Sequence, residues 1–314
     1  MKRNLRGSLI AALASVVWAS TSPGIRFLLD RGVPALTVAL WRDVAIVVCL
    51  TLVLGASNRR LLRVARTDLR GLGLAGIVSI GLYHALWVWS VFLNGAAIAV
   101  VLIYLYPAFV TLGGWLIYKE RITPLQFASL ILSLAGCALV VRVYDPTLAT
   151  VNIAGLAVGL LTAIMHTVYV LFSQKRVQTL NPWTSLTYTM GFGTLALAML
   201  TLVVAPKSLL PPGNLQSLVV LILLGIGPTL GGYGLFTLSL AYASARIASL
   251  IVVLEVPIAT LLAVVALHER LEWLQIVGMV LILLAAVLPS LAMELRQRAE
   301  PAQQPARVIP SDAR

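Results

Sequence analysis

The chain has 314 residues, of which 60% are hydrophobic and only 11% charged, and it carries a formal net charge of +12. A soluble domain holds about 25% charged residues, and no soluble fold of this length has interior enough for so much apolar side chain, so lipid must cover the remainder. The basic residues stand in short gaps between apolar runs, where they orient a chain in a bilayer, and this argues against a nucleic-acid partner.

The first run opens with Met1-Lys2-Arg3-Asn4-Leu5-Arg6, which looks like a basic leader. The apolar stretch from Gly7 nevertheless continues past Leu28, and Ala12-Leu13-Ala14 comes too early for cleavage, so a retained helix is expected. A bilayer-crossing helix needs roughly 20 mostly apolar residues. Breaks at charges, proline and glycine then predict spans at 7–29, 34–55, 69–91, 96–118 and 124–142. Five more follow at 153–174, 183–204, 217–240, 247–267 and 272–292. Residues 293–314, rich in Gln, Pro, Ala and Arg, read as a disordered cytoplasmic tail. Cys49 and Cys137 fall inside apolar runs, which suits packing rather than a disulfide.

The chain repeats itself. Tyr118-Lys119-Glu120-Arg121-Ile122-Thr123-Pro124-Leu125-Gln126 returns as Leu267-His268-Glu269-Arg270-Leu271-Glu272-Trp273-Leu274-Gln275, each copy behind an apolar stretch with a central proline, Pro107 or Pro257. Thr229-Leu230-Gly231-Gly232-Tyr233 likewise matches Ser79-Ile80-Gly81-Leu82-Tyr83. Such self-similarity predicts two copies of one unit, residues 7–142 and 153–292, with function where they meet.

Lys and Arg placement sets the expected orientation. Lys2, Arg3, Arg6, Arg59, Arg60, Arg63, Arg66, Arg70, Lys119, Arg121, Lys175, Arg176, Arg246 and the tail arginines fall on one side. Arg26, Arg31, Arg142, Lys207 and Arg270 fall on the other, which puts both termini in the cytoplasm. Five helices repeated as five make the second copy enter upside down. The expected fold is therefore an all-α integral membrane protein, ten transmembrane helices as two inverted five-helix repeats, a recurring device of secondary transporters.

With these features the chain resembles the drug/metabolite transporter superfamily, EamA type, from Gly7 to Leu291. The resemblance rests on the five-plus-five repeat, Trp18 in helix 1, Pro34 and Trp41-Arg42 in helix 2, and the proline with Glu-Arg at the end of helices 4 and 9. Helix 7 departs from it: Thr189-Met190 stands where a second Trp-Arg would be, so the arginine is not duplicated. The resemblance implies a central cavity lined by helices 1, 3, 4, 6, 8 and 9, with helices 5 and 10 bracing the periphery. It also implies a cell inner membrane location and export of metabolites, one branch exporting aromatic and other neutral amino acids.

Several residues qualify as site candidates on their own chemistry. Pro107 and Pro257 free a backbone carbonyl, giving either a kink that shapes the cavity and permits rocking or a static packing kink. Pro228, among glycines that include Gly231, marks a third weak point, although small residues also serve close packing. Tyr83 and Trp87, four apart, share a helix face. Tyr104 lies about 12 Å along its helix at 1.5 Å per residue, and Tyr106, two residues on, points elsewhere, so only one of the two is expected to face a cavity squarely. Trp18, Tyr169 and Tyr233 add rings, whereas Trp89, Tyr118, Trp183 and Trp273 suit the interfacial belt. Arg42, Asp43, His84, His166 and Glu255 are ionisable groups inside spans, where a charge costs several kcal/mol unless paired or hydrated. Arg42 reads as structural, either in a local pair with Asp43 or, since adjacent residues on a helix do not face one another, holding a neighbouring helix. Glu255, two residues before Pro257, is a candidate to bind a substrate ammonium or carry a coupling proton, or else to bond a neighbouring Tyr or Ser. His84 and His166 also qualify as helix glue. Glu120-Arg121 and Glu269-Arg270 look like end-of-helix charge pairs or gates, with salt-bridged helix ends the favoured reading.

The expected function is secondary or facilitative transport, by alternating access, of a small neutral or amine-bearing metabolite, with amino acids favoured. Antiport of nucleotide sugars or phosphorylated metabolites would want several cavity Lys or Arg, and only Arg42 qualifies. An enzyme is disfavoured: metalloprotease spacing, a Gly-x-Ser-x-Gly elbow and a metal-spaced Cys or His cluster are all absent. No phosphate-binding glycine loop marks an ATP-driven pump. No cofactor or metal is expected. The partners are a small solute, the bilayer and, for coupling, protons, in a monomer or homodimer.

Overall fold

A computed structural model describes residues 2–119, 122–146, 152–267 and 271–299, and these are helix, turn and loop with no strand among them. Glu120, Arg121, Glu269 and Arg270 lie outside the described residues. Eight helical stretches are long and apolar enough to cross a membrane, and Pro124–Val140 and Trp273–Leu288 are shorter apolar helices. This is a multi-pass membrane protein. Its outer face fits that reading, since Leu52, Leu161, Val203 and Val265 stand open on the helix surfaces.

Several spans are not single α-helices. The first is α1 (Lys2–Ala19) and α2 (Thr21–Asp30), interrupted at Ser20. Pro23 in the opening turn of α2 has no N–H to give to the carbonyl of Ala19, and at the break the hydroxyls of Ser20 and Thr21 donate to the carbonyls of Val17 and Trp18 at 2.7 and 2.6 Å. After α3 (Ala35–Ser57), the third span runs from α4 (Arg66–Gly76) through a π-helical stretch, Ile77–Leu82, into α5 (Tyr83–Ile103). Helical dihedrals in α5 fail at Gly95, where φ is 74° and ψ 164°, a conformation that suits a residue without Cβ. A turn at Tyr104–Leu105 then leads into α6 (Tyr106–Tyr118), and a capping box between Thr123 and Gln126 starts α7 (Pro124–Val140).

The second half follows the same order: α8 (Ile153–Arg176), α9 (Pro182–Val204), α10 (Leu215–Leu224), a π-helical stretch Gly225–Thr229, and α11 (Leu230–Ser239). Pro228 lies in that stretch, so the carbonyl of Leu224 loses its partner four residues on; Thr229 Oγ1 donates to it at 2.8 Å. Next come α12 (Ala245–Val252), a turn at Val253–Leu254, α13 (Glu255–Leu267) and α14 (Trp273–Ala299).

Two expectations change here. Pro107 and Pro257 are not mid-helix. They lie in the first turns of α6 and α13, where a missing N–H costs little. The expected tail at 293 is still helix as far as Ala299, because Met293-Glu294-Leu295-Arg296-Gln297-Arg298 are good helix formers and proline first appears at 301.

The core gathers at the middle of the bundle. Trp18, Tyr106, Tyr169, Tyr233 and Phe236 pack with Ile46, Val110, Leu186 and Ile251. α7 and α14 form a separate seam, in which a Cβ on Gly136 would approach the carbonyl of Gly278 to 2.7 Å and the reverse holds equally. Cys137, fully buried, belongs to this seam, and both cysteines are free thiols.

Candidate functional site

A cavity of about 240 Å³ opens where the broken spans converge. α1 brings Trp18, α3 Arg42, α5 Tyr83, His84 and Trp87, α6 Tyr106, α8 His166, α11 Tyr233 and α13 Glu255, with Tyr104 entering from the turn before α6. Nine of the ten ring and acid positions proposed from sequence for the cavity thus meet in it. The tenth, Tyr169, is 1% exposed and stands behind the wall, its hydroxyl 2.6 Å from Thr237 Oγ1.

Tyr104 and Tyr106 both line the cavity, against the expectation from helical phase. The cause is the turn at Tyr104–Leu105: a continuous helix would separate residues two apart by about 200°, and the break removes that constraint. Tyr106 donates to the carbonyl of Ser249 at 3.1 Å, tying α6 to α12. Tyr83 directly follows one π-helical stretch and Tyr233 stands about one turn beyond the other, and both rings reach the cavity.

The rings form one connected wall. Trp18 meets Tyr233 edge-to-face at 5.0 Å, Tyr233 meets Tyr169 at 5.4 Å, and His166 lies 4.6 Å from Tyr106 and 5.0 Å from Tyr83. Such geometry is favoured by the ring quadrupoles. Gly232 makes room for it, because a Cβ there would collide with the Trp18 indole.

The wall carries two polar poles. At one, His84 Nδ1 is 2.6 Å from Asp43 Oδ2 and Nε2 is 3.2 Å from Arg42 Nη2. A guanidinium only donates and an ionised carboxylate only accepts, so this arrangement puts the ring proton on Nδ1. Arg42 on α3 is thus bonded to His84 on α5, and it also lines the cavity. At the other pole, Tyr104 donates to Glu255 Oε2 at 3.0 Å. Tyr104 lies at the chain break before α6 and Glu255 begins α13 just past the break at Val253–Leu254, so one hydrogen bond joins the two breaks.

Sequence reasoning did not single out Thr21, Ile25, Val100, Ile103, Thr229 or Val252, which also line the cavity. Thr229 stood inside the repeated segment, and Thr21 stood two residues before Pro23; each was a usable signal of a break. The apolar residues carried none. Gly231 belongs to the α1 contact, where a Cβ would meet Val17 Cγ1 at 3.1 Å. Among the described residues no cluster of His, Cys, Asp or Glu is placed to hold a metal.

Broken membrane helices that converge on a polar, ring-lined cavity define a transport protein. The chain belongs to the EamA-like transporter family, whose model matches it twice, over residues 5–142 and 153–291. It is 26% identical over 230 residues to an uncharacterized transporter of Clostridium kluyveri, covering 72% of this chain and 74% of that one. It is 27% identical over 270 residues to one of Archaeoglobus fulgidus, covering 84% and 89%. A crystal structure sharing 19% identity superposes with a TM-score of 0.75 over 93% of this chain and 99% of its own, which establishes a common fold.

Proposed function

We propose that the chain is a secondary or facilitative transporter, working as an exporter, that moves a small neutral or amine-bearing metabolite by alternating access. Amino acids, aromatic ones included, are the favoured class. The carrying observation is the Glu255 carboxyl at the start of α13, which lines the cavity among rings and accepts from Tyr104. A carboxylate at membrane depth suits an ammonium group or a coupling proton, and rings suit the apolar remainder of the solute.

In this reading the two family-matched halves are inverted five-helix repeats, with both termini in the cytoplasm and the protein in the cell inner membrane. Exchange of the halves' conformations moves the opening from one side to the other, with the helix breaks as flexing points. At 240 Å³ the cavity is smaller than the roughly 300–1,000 Å³ of drug-sized ligand pockets, in keeping with a small metabolite. Arg42 is the one Lys or Arg lining it among the described residues, which gives little support to a phosphorylated solute.

The test is uptake of labelled phenylalanine and threonine into proteoliposomes, with and without a proton gradient. Saturable uptake is expected, and its response to the gradient separates proton coupling from facilitated exchange. Flat traces from folded protein for these and for a wider set of amine-bearing solutes would overturn the reading.

A further inference from the structure

Arg42 has more hydrogen-bonding capacity than its surroundings use. A guanidinium carries five N–H donors, and one of them, on Nη2, is spent on His84. Nε is buried without an acceptor; the nearest Asp43 oxygen, Oδ1, stands 3.7 Å away and is itself without a hydrogen bond. The other Asp43 oxygen is taken by His84 Nδ1. The adjacent carboxylate is therefore turned to the imidazole, and the arginine is gripped from one edge with its side chain 14% exposed beside the cavity. His166, 6% exposed and also lining the cavity, leaves Nδ1 without a partner. Buried donors and acceptors without partners are rare and mark places that water or a ligand fills.

The chemistry of the unfilled donors narrows the ligand. A planar fork of N–H groups matches an anion with two coplanar oxygens, and Arg meets carboxylates in this two-bond form. Glu255 lines the same cavity and, when ionised, brings the opposite charge. The cavity thus offers a guanidinium at α3, whose neighbouring carboxylate Asp43 is held by His84, and a carboxyl at α13, among rings.

We propose that Arg42 receives the carboxylate of the transported solute while Glu255 receives its amine, so that the cavity selects solutes bearing both groups over amines bearing only one. Asp43 and His84 are positioning residues that aim the guanidinium. The proposal rests on the transporter reading above and adds to it a receptor for the anionic end.

The test is binding by the purified full-length protein of matched probes: phenylalanine against phenethylamine, tyrosine against tyramine, and leucine against isoamylamine. The wild-type protein is expected to bind at least one acid about tenfold or more tightly than its decarboxylated partner, the worth of one charge-assisted pair. Arg42→Gln is expected to abolish that preference while still binding the amines. Should Arg42→Gln fail to fold, Arg42→Lys keeps the charge without the fork and is expected to narrow the preference, and the wild-type comparison decides alone. Amines bound as tightly as the acids, a preference that survives Arg42→Gln, or no binding of any probe would overturn the proposal. Flux on the same protein separates the two readings. Uptake of amines with no preference for acids sinks the Arg42 assignment and leaves transport standing, whereas selective binding without flux of any probe sinks transport and leaves Arg42 a carboxylate-binding residue.

Discussion

Replacing Glu255 by Gln keeps the side-chain volume and an oxygen for the Tyr104 hydroxyl 3.0 Å away, and removes only the charge. A hydrogen bond to a charged group contributes about 1.5–3 kcal/mol, against about 0.5–1.5 kcal/mol for a neutral one. The substitution should therefore cost an ammonium ligand about 1–1.5 kcal/mol, or roughly 5- to 15-fold in affinity. Tyr104→Phe is the matched control. It leaves the carboxylate and frees the oxygen that the hydroxyl had occupied, so it should weaken binding less than Glu255→Gln. Counterflow of labelled phenylalanine in proteoliposomes, with phenethylamine as competitor, reads both affinities on one preparation. Glu255→Gln with unchanged affinity and flux at every pH tried would refute the argument, because no ammonium contact and no coupling proton at that carboxylate could then matter.

Asp43 is fully buried and holds His84 while standing beside the Arg42 cation. Asp43→Ala leaves that cation unpaired and should cost about 3–5 kcal/mol, seen as a lowered unfolding midpoint in detergent; an unchanged midpoint would show that water compensates. Gly232→Ala drives a methyl into the Trp18 indole and should cost about 1–3 kcal/mol. Gly227→Ala, whose Cβ would meet nothing within 4 Å, should cost none of this, and equal losses would refute the collision. With Cys49 and Cys137 removed, cysteines replacing Tyr83 and Tyr104 should react with water-soluble thiol reagents while one replacing buried Tyr169 stays protected. Resistance at both cavity positions in every state that can be trapped would place the solute path elsewhere.

The spans and the aromatic character of the cavity were legible because lipid leaves long apolar runs and because a ring at membrane depth has few other reasons to be there. The repeat of Tyr83 as Tyr233 marked equivalent positions in the two copies, and both line the cavity. What stayed hidden follows from interruptions in helical phase. Pro107 and Pro257 advertised a disturbance but not its position, which lies just ahead of each proline; hence Tyr106 faced a cavity that uniform helix geometry denied it. The contact of His84 with Asp43 spans 41 residues and is a product of packing between α3 and α5, so no local pattern announces it. Arg42 was visible as the arginine that the second half does not repeat, and its place in the cavity lining is what gives it a second use.

The seam between α7 and α14 has a mechanical consequence. Gly136 and Gly278 let two backbones approach until each glycine would press a Cβ against the other's carbonyl. At one end Arg142 reaches Glu272 at 2.7 Å, Tyr144 donates to the same carboxylate at 2.7 Å, and Gln275 donates to the carbonyl of Val140 at 2.9 Å. Helices locked this closely cannot slide past one another without steric collision. In the alternating-access reading such a seam would serve as an axle, and spin labels on α7 and α14 should keep their separation while labels across the cavity change theirs.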